Sequence, residues 1–133
     1  MPNYPPHGLS PHETHCSQHL TPDLEFAYND ADAIRSYVTK SLGFRERNII
    51  DLRDASLTQL NAVFGRYGKH KAKAYSYVRP GKSDLVVFYS GHGVPGLKDN
   101  KGYLLPVNAD PDLVEHTSYP IDVMPANLAK INI

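Results

Sequence analysis

The sequence predicts one α/β domain in which helices flank a sheet, and three observations predict it. The segment DLVVFYS, Asp84 to Ser90, is a continuous apolar run, which suits a strand buried on both faces between helical layers. Two stretches before it repeat apolar residues at steps of three and four, the period of an amphipathic helix. The 133 residues are the size of one domain, whose core can bury roughly two-thirds of the surface the unfolded chain exposes. Strands separated by helices argue for layers.

Taken in order, residues 1–22 hold five of the eleven prolines and four of the seven histidines. So few apolar residues cannot offset the entropy of ordering, and the segment reads as a disordered leader ahead of a domain over 23–133. Ala27, Ala31, Ile34, Val38 and Leu42 then line one helical face, with Asn29 or Asp30 to cap its start and Gly43 its end. Asn48 to Leu52, with Ile49 and Ile50, has the β-branched character of a short buried strand. Ser56 and Gln59 have capping-box spacing, and Leu57, Leu60, Val63, Phe64 and Tyr67 form the stripe of a second helix. From Arg66 to Lys82 there are six Lys or Arg and no acid; this reads as a solvated basic face that ends in a turn at Pro80 and Gly81. After the apolar strand come a short strand over Gly102 to Leu105 and a helix around Asp122 to Lys130.

Composition excludes several functions. Fourteen Lys and Arg balance fourteen Asp and Glu, so no net field draws the chain to nucleic acid or to anionic membrane. The strongest apolar run, Leu85 to Tyr89, is about a quarter of the length a membrane-spanning helix needs, and the Pro-rich start lacks the pattern of a secretory signal. The single cysteine, Cys16, excludes a disulfide framework within the chain and suits a reducing, cytoplasmic location. His12, His15, Cys16 and His19 can share one helical face, but a loop cluster with Glu13 as its sole carboxylate reads as incidental, and no metal site is expected.

The end of the apolar strand carries the chemistry. In open α/β sheets reactive groups collect at the carboxyl ends of strands, and His92 lies there between Gly91 and Gly93. An imidazole takes and returns protons near neutral pH. The flanking glycines let a substrate backbone approach, and they leave the Gly93 amide free to donate to an oxyanion. GHGVPG is also a literal GxGxxG, but a dinucleotide site needs a helix opening at those glycines, and Pro95, Gly96, Asp99, Asn100 and Gly102 prevent one. Tyr89 reads as packing, Ser90 as a turn hydroxyl pointing to the opposite face, and Asp110 before Pro111 as a turn former.

Read together, SDLVVFYSGHG, KGYLLPVNADP, YPIDVMPANLAK and the earlier NDADAIRSYVTKSLGF and NIIDLRDAS closely resemble the caspase-like cysteine peptidases of the metacaspase and orthocaspase branch, over about residues 24 to 130. The resemblance implies a three-layer αβα sandwich with a mostly parallel sheet, His92 as general base, Gly93 as an oxyanion donor and polypeptide substrates. It also implies attack by a cysteine thiolate, giving an acyl-enzyme. Metacaspase relatives cut after Arg or Lys and caspases after Asp; the residues that decide this lie outside the matched motifs. No cofactor is expected. Calcium dependence occurs in the family, and no residue here reports on it.

One departure matters as much as the match. In this group the nucleophile follows the histidine by about fifty residues, which falls beyond Ile133, and Cys16 lies on the wrong side of His92 in chain order. The expectation is a truncated sandwich that carries the histidine half of a Cys-His dyad and is inactive alone. It would be completed by pairing with a caspase-like chain. The alternative is a non-catalytic caspase-like pseudoenzyme or interaction module.

Overall fold

The computed structural model describes residues 24–131. The leader expected over 1–22 lies outside them, and with it Cys16 and the His12, His15 and His19 group. The described residues mix five α-helices with one small sheet: α1 Leu24–Lys40, α2 Leu57–Phe64, α3 Lys73–Tyr77, β1 Gly93–Pro95, β2 Gly102–Leu104, α4 Val114–Thr117, β3 Tyr119–Pro120 and α5 Val123–Leu128. None of these helices is long and apolar enough to cross a membrane.

The periodic stretch before Gly43 is helical, but α1 begins at Leu24, so Asn29 and Asp30 lie inside it and do not cap it. Its end is as expected. Gly43 takes φ +74°, and the Phe44 N–H turns back to the Val38 carbonyl at 3.0 Å, a reversal that a residue without Cβ makes at least cost. Charge ties α1 to the segment after it. Arg35 bridges Glu46 and Asp51, while Arg53 bridges Asp32 and Asp51; Tyr28 donates to Asp54 and lies under the Arg53 guanidinium.

Asp51 is the shared anion of this network. Arg53 first, and then Arg35, hold its carboxyl below the usual carboxylate range, against the opposing pull of burial. A carboxylate whose folded pKa is depressed stabilises the native state fully above its ordinary pKa of about 4, and that contribution is lost as pH falls through the lower folded value. Acidification below about pH 4 should therefore loosen α1 from the 46–54 segment. The Tyr28 and Arg35 NMR signals would shift together, and Asp51→Asn should remove that step. A step that persists in Asp51→Asn would assign it elsewhere.

The capping box is present as read: the Gln59 N–H donates to Ser56 Oγ at 3.3 Å, and the Ser56 N–H to Gln59 Oε1 at 2.8 Å. Leu60 and Val63 of α2 are buried as its stripe requires. Tyr67 leaves the stripe, because α2 stops at Gly65, which has φ +81° and ψ −166°. That region of backbone space is accessible essentially to glycine alone. A Cβ there would also collide with the Lys69 carbonyl oxygen and touch Asn127 Nδ2. Gly65→Ala should cost about 1–3 kcal/mol, at the upper end of what such strain costs because the obstacle is backbone. Gly68, at φ +70° with nothing within 4 Å, is the control: Gly68→Ala should lose less in the same urea titration. Equal losses would show that the Lys69 contact does not matter.

The core forms where α2 meets the sheet and α5. Leu60, Leu104, Tyr119 and Val123 are its buried centre, with Leu52, Ala55, Leu57, Phe64 and Met124 packed around them. Tyr119 is fully enclosed, its hydroxyl donating to the Gly65 carbonyl at 3.1 Å; burial pushes its phenol up to about 12. Asn127 of α5 satisfies two carbonyls at the end of α2, Phe64 at 3.0 Å and Arg66 at 3.1 Å. A helix C-terminus leaves such acceptors open, so one amide closes α2 and docks α5 at once.

The sheet among the described residues is small and antiparallel. Its order is β1-β2-β3, and both pairings are antiparallel, Val94 opposite Tyr103 and Leu104 opposite Tyr119. A mostly parallel sheet is not found among the described residues. The two segments expected to supply it make no ladder there. Asn48 ends a 3-10 turn at Glu46–Asn48, and beyond it Ile49, Ile50 and Leu52 stay half-buried, while Asp84 to Ser90 runs without helix, turn or bend, with Val86 50% and Phe88 45% exposed. A strand needs a neighbour for its N–H and C=O groups, and neither run has a ladder partner among the described residues. The expected strand at Gly102 is present, as is the late helix, trimmed to Val123–Leu128.

Candidate functional site

His92 lies between the exposed apolar run and β1, and its own residue is exposed. Its backbone is held at one atom from two sides. The His92 carbonyl accepts the Leu105 N–H at 3.0 Å and the Tyr89 hydroxyl at 3.2 Å. The ring of Tyr89 folds back over Gly91, where a Cβ would fall 2.6 Å from the phenol oxygen and 2.9 Å from Cζ. A Cβ at residue 91 would therefore displace the Tyr89 ring from this contact, and burial raises the phenol above its ordinary pKa, which keeps it a donor. The sequence reads Tyr89 as packing alone, and this contact, which depends on the chain folding back at Gly91, lies outside that reading.

Gly93 opens β1, and the ladder fixes where its amide points. Leu105 N–H bonds the His92 carbonyl and Gly96 N–H the Lys101 carbonyl at 2.7 Å, so even-numbered residues from 92 to 96 face β2. In an antiparallel pair the intervening residues face away. Gly93, opposite Leu104, thus directs its N–H off the free edge of β1, on the outer side of the sheet. A Cβ at Gly93 would meet only the Tyr103 carbonyl at 3.7 Å, an ordinary contact, and no backbone carbonyl of the described residues accepts the Gly93 N–H. GHGVPG continues into a strand and a turn and does not open a helix, which removes the helix N-terminus a dinucleotide phosphate would need.

A shallow cleft of about 300 Å³ runs across the face of the hairpin beside Gly93, lined by Val94, Pro95, Lys101, Tyr103 and Ile121. Two of its lining residues, Tyr103 and Lys101, contact phenol–carboxylate pairs. Tyr103 donates to Asp99 at 2.8 Å and Tyr67 to Asp122 at 2.7 Å, and Lys101 Nζ lies 5.6 Å over the Tyr67 ring. The Asp122 hydrogen bond pushes Tyr67 up to about 12, and burial does the same for Tyr103, so both remain protonated donors at neutral pH. A hollow of about 370 Å³ at Gly81, Lys82, Ser83 and Asp84 belongs to the turn.

Among the described residues no side chain hydrogen-bonds the His92 imidazole, and no group of three or more His, Cys, Asp or Glu is placed to hold a metal ion. Ser90 is exposed. Asp110 is the turn former expected, its carboxylate accepting the Asp112 N–H at 2.9 Å. The basic stretch after α2 carries the unexpected short helix α3, which stands at the surface with Lys73 over the Tyr77 ring. No family model, curated protein or solved structure matches the chain.

Proposed function

We propose that this chain is the histidine-bearing part of a caspase-like cysteine endopeptidase domain, in which His92 acts as general base and the Gly93 amide as an oxyanion donor. The observation that carries the reading is their juxtaposition: an exposed imidazole whose backbone is pinned by Leu105 and Tyr89, followed at once by an amide directed off a free strand edge. A base and an oxyanion donor adjacent to open space are two of the three groups that acyl transfer needs. The third, a thiolate, is supplied by another segment, paired on the side where Asp84 to Ser90 lies bare. The larger sandwich with a parallel sheet belongs to that completed form. The segments that would occupy its centre, Ile49 to Leu52 and Leu85 to Tyr89, have the apolar content this requires. The substrate is a polypeptide.

The test is complementation. The 133-residue chain alone should not cleave fluorogenic peptides ending in Arg, Lys or Asp. Mixed with a caspase-like chain whose own base histidine has been changed to alanine, it should restore cleavage. Cleavage by the isolated chain that survives Cys16→Ala and is lost in His92→Ala would overturn the assignment of the nucleophile. A silent mixture in which the two chains nonetheless bind would favour an interaction module without catalysis.

A further inference from the structure

The carbonyl of His92 and the N–H of Gly93 are the two ends of one planar peptide group, so whatever holds the carbonyl also aims the N–H. That carbonyl accepts two donors, the Leu105 N–H at 3.0 Å and the Tyr89 hydroxyl at 3.2 Å. The first belongs to the pairing of β1 with β2 and sets the edge from which the Gly93 N–H points. The second comes from a side chain three residues back and belongs to no ladder. A second donor draws further charge onto the carbonyl oxygen, and hydrogen bonds joined through a peptide group polarise one another. The Gly93 N–H is the end that gains.

Gly91 admits the contact. A Cβ there would fall 2.6 Å from the phenol oxygen and 2.9 Å from Cζ; the obstacle is the end of a side chain, so an added methyl moves the ring and not the backbone. The contact closes within Tyr89 to His92 and needs no partner for the apolar run. We propose that Tyr89 is a positioning residue for the Gly93 oxyanion donor, holding their shared peptide group from its carbonyl end, and that Gly91 serves the same end by leaving room for the ring. The catalytic meaning of this inference rests on the peptidase reading, whereas the contact itself does not.

Two readouts separate the contact from its use. In the isotope-labelled 133-residue chain, Tyr89→Phe keeps the ring and removes the donor, so the NMR resonances of the His92 carbonyl carbon and the Gly93 amide nitrogen should both move upfield. Gly91→Ala should move them the same way, and combining it with Tyr89→Phe should move them little further. Tyr77→Phe, at an exposed tyrosine of α3, should leave both in place. In the mixture with the caspase-like chain that lacks its base histidine, Tyr89→Phe should lower kcat by about 3–10-fold, a part of the roughly 10²–10³-fold that loss of an oxyanion donor costs. Michaelis constants should stay unchanged, because the group acts through a donor used in the transition state; a merely structural role would not confine the loss to kcat. Resonances that stay in place in Tyr89→Phe, or a loss that falls on KM, would overturn the proposal. A mixture already silent with the unsubstituted chain would overturn the peptidase reading and the catalytic use of Tyr89 with it, while the resonances still decide whether the contact exists.

Discussion

Tyr119→Ala should destabilise the chain by about 3–5 kcal/mol, the cost of emptying a fully packed aromatic site. The ring is completely enclosed, tilted against Phe64 with centroids 6.5 Å apart and seated among Leu60, Leu104 and Val123. Its hydroxyl also serves the Gly65 carbonyl, in the turn that ends α2. Deletion therefore removes packing and a hydrogen bond at the point where α2, the sheet and α5 converge. Against a net stability of roughly 5–15 kcal/mol, that loss brings unfolding within reach of ordinary temperatures. Tyr119→Phe separates the two contributions, since it keeps the ring and should cost only about 0.5–1.5 kcal/mol. Urea titrations of the three proteins check both numbers. If Phe cost as much as Ala, the hydroxyl rather than the packing would hold this core.

In the complemented peptidase, His92→Ala should lower the cleavage rate by about 10²–10⁴-fold, the contribution of a positioned general base. The size of the loss follows from what remains. The Gly93 amide and the cleft are untouched, so binding and oxyanion stabilisation survive while proton transfer does not. Michaelis constants should accordingly change little and kcat should fall. His92→Gln, which keeps a planar polar group of similar reach, should be as inactive as alanine, because an amide cannot accept the proton. A variant that cleaves at the original rate would remove His92 from the mechanism and the proposed function with it.

Signals in the sequence are legible where the physical reason for them is local. The capping box at Ser56 and Gln59, the left-handed Gly43 after α1 and the Asp110 turn all appear as expected, because each is decided by a hydrogen bond or a backbone angle within a few residues. The refusal of GHGVPG to open a helix was legible for the same reason: Pro95 and the turn formers behind it act at short range. Tyr89 was not legible. Its contact with the His92 carbonyl depends on the chain folding back at Gly91, and a tyrosine in an apolar run carries no mark of that.

Strand pairing marks the boundary between the two kinds of information. The sequence by itself determined that Leu85 to Tyr89 is apolar on both faces, that helices precede it, and that an imidazole flanked by glycines follows it. Only the tertiary structure decided which backbones meet: β1, β2 and β3 pair antiparallel, and Asp84 to Ser90 finds no partner among the described residues. The physical reason is that a residue's apolarity fixes what it would gain by burial, whereas a ladder needs a second strand, and its presence is a property of the whole assembly. The same division holds at His92, where residue type gives the proton chemistry and the ladder alternation sets the direction of the neighbouring amide.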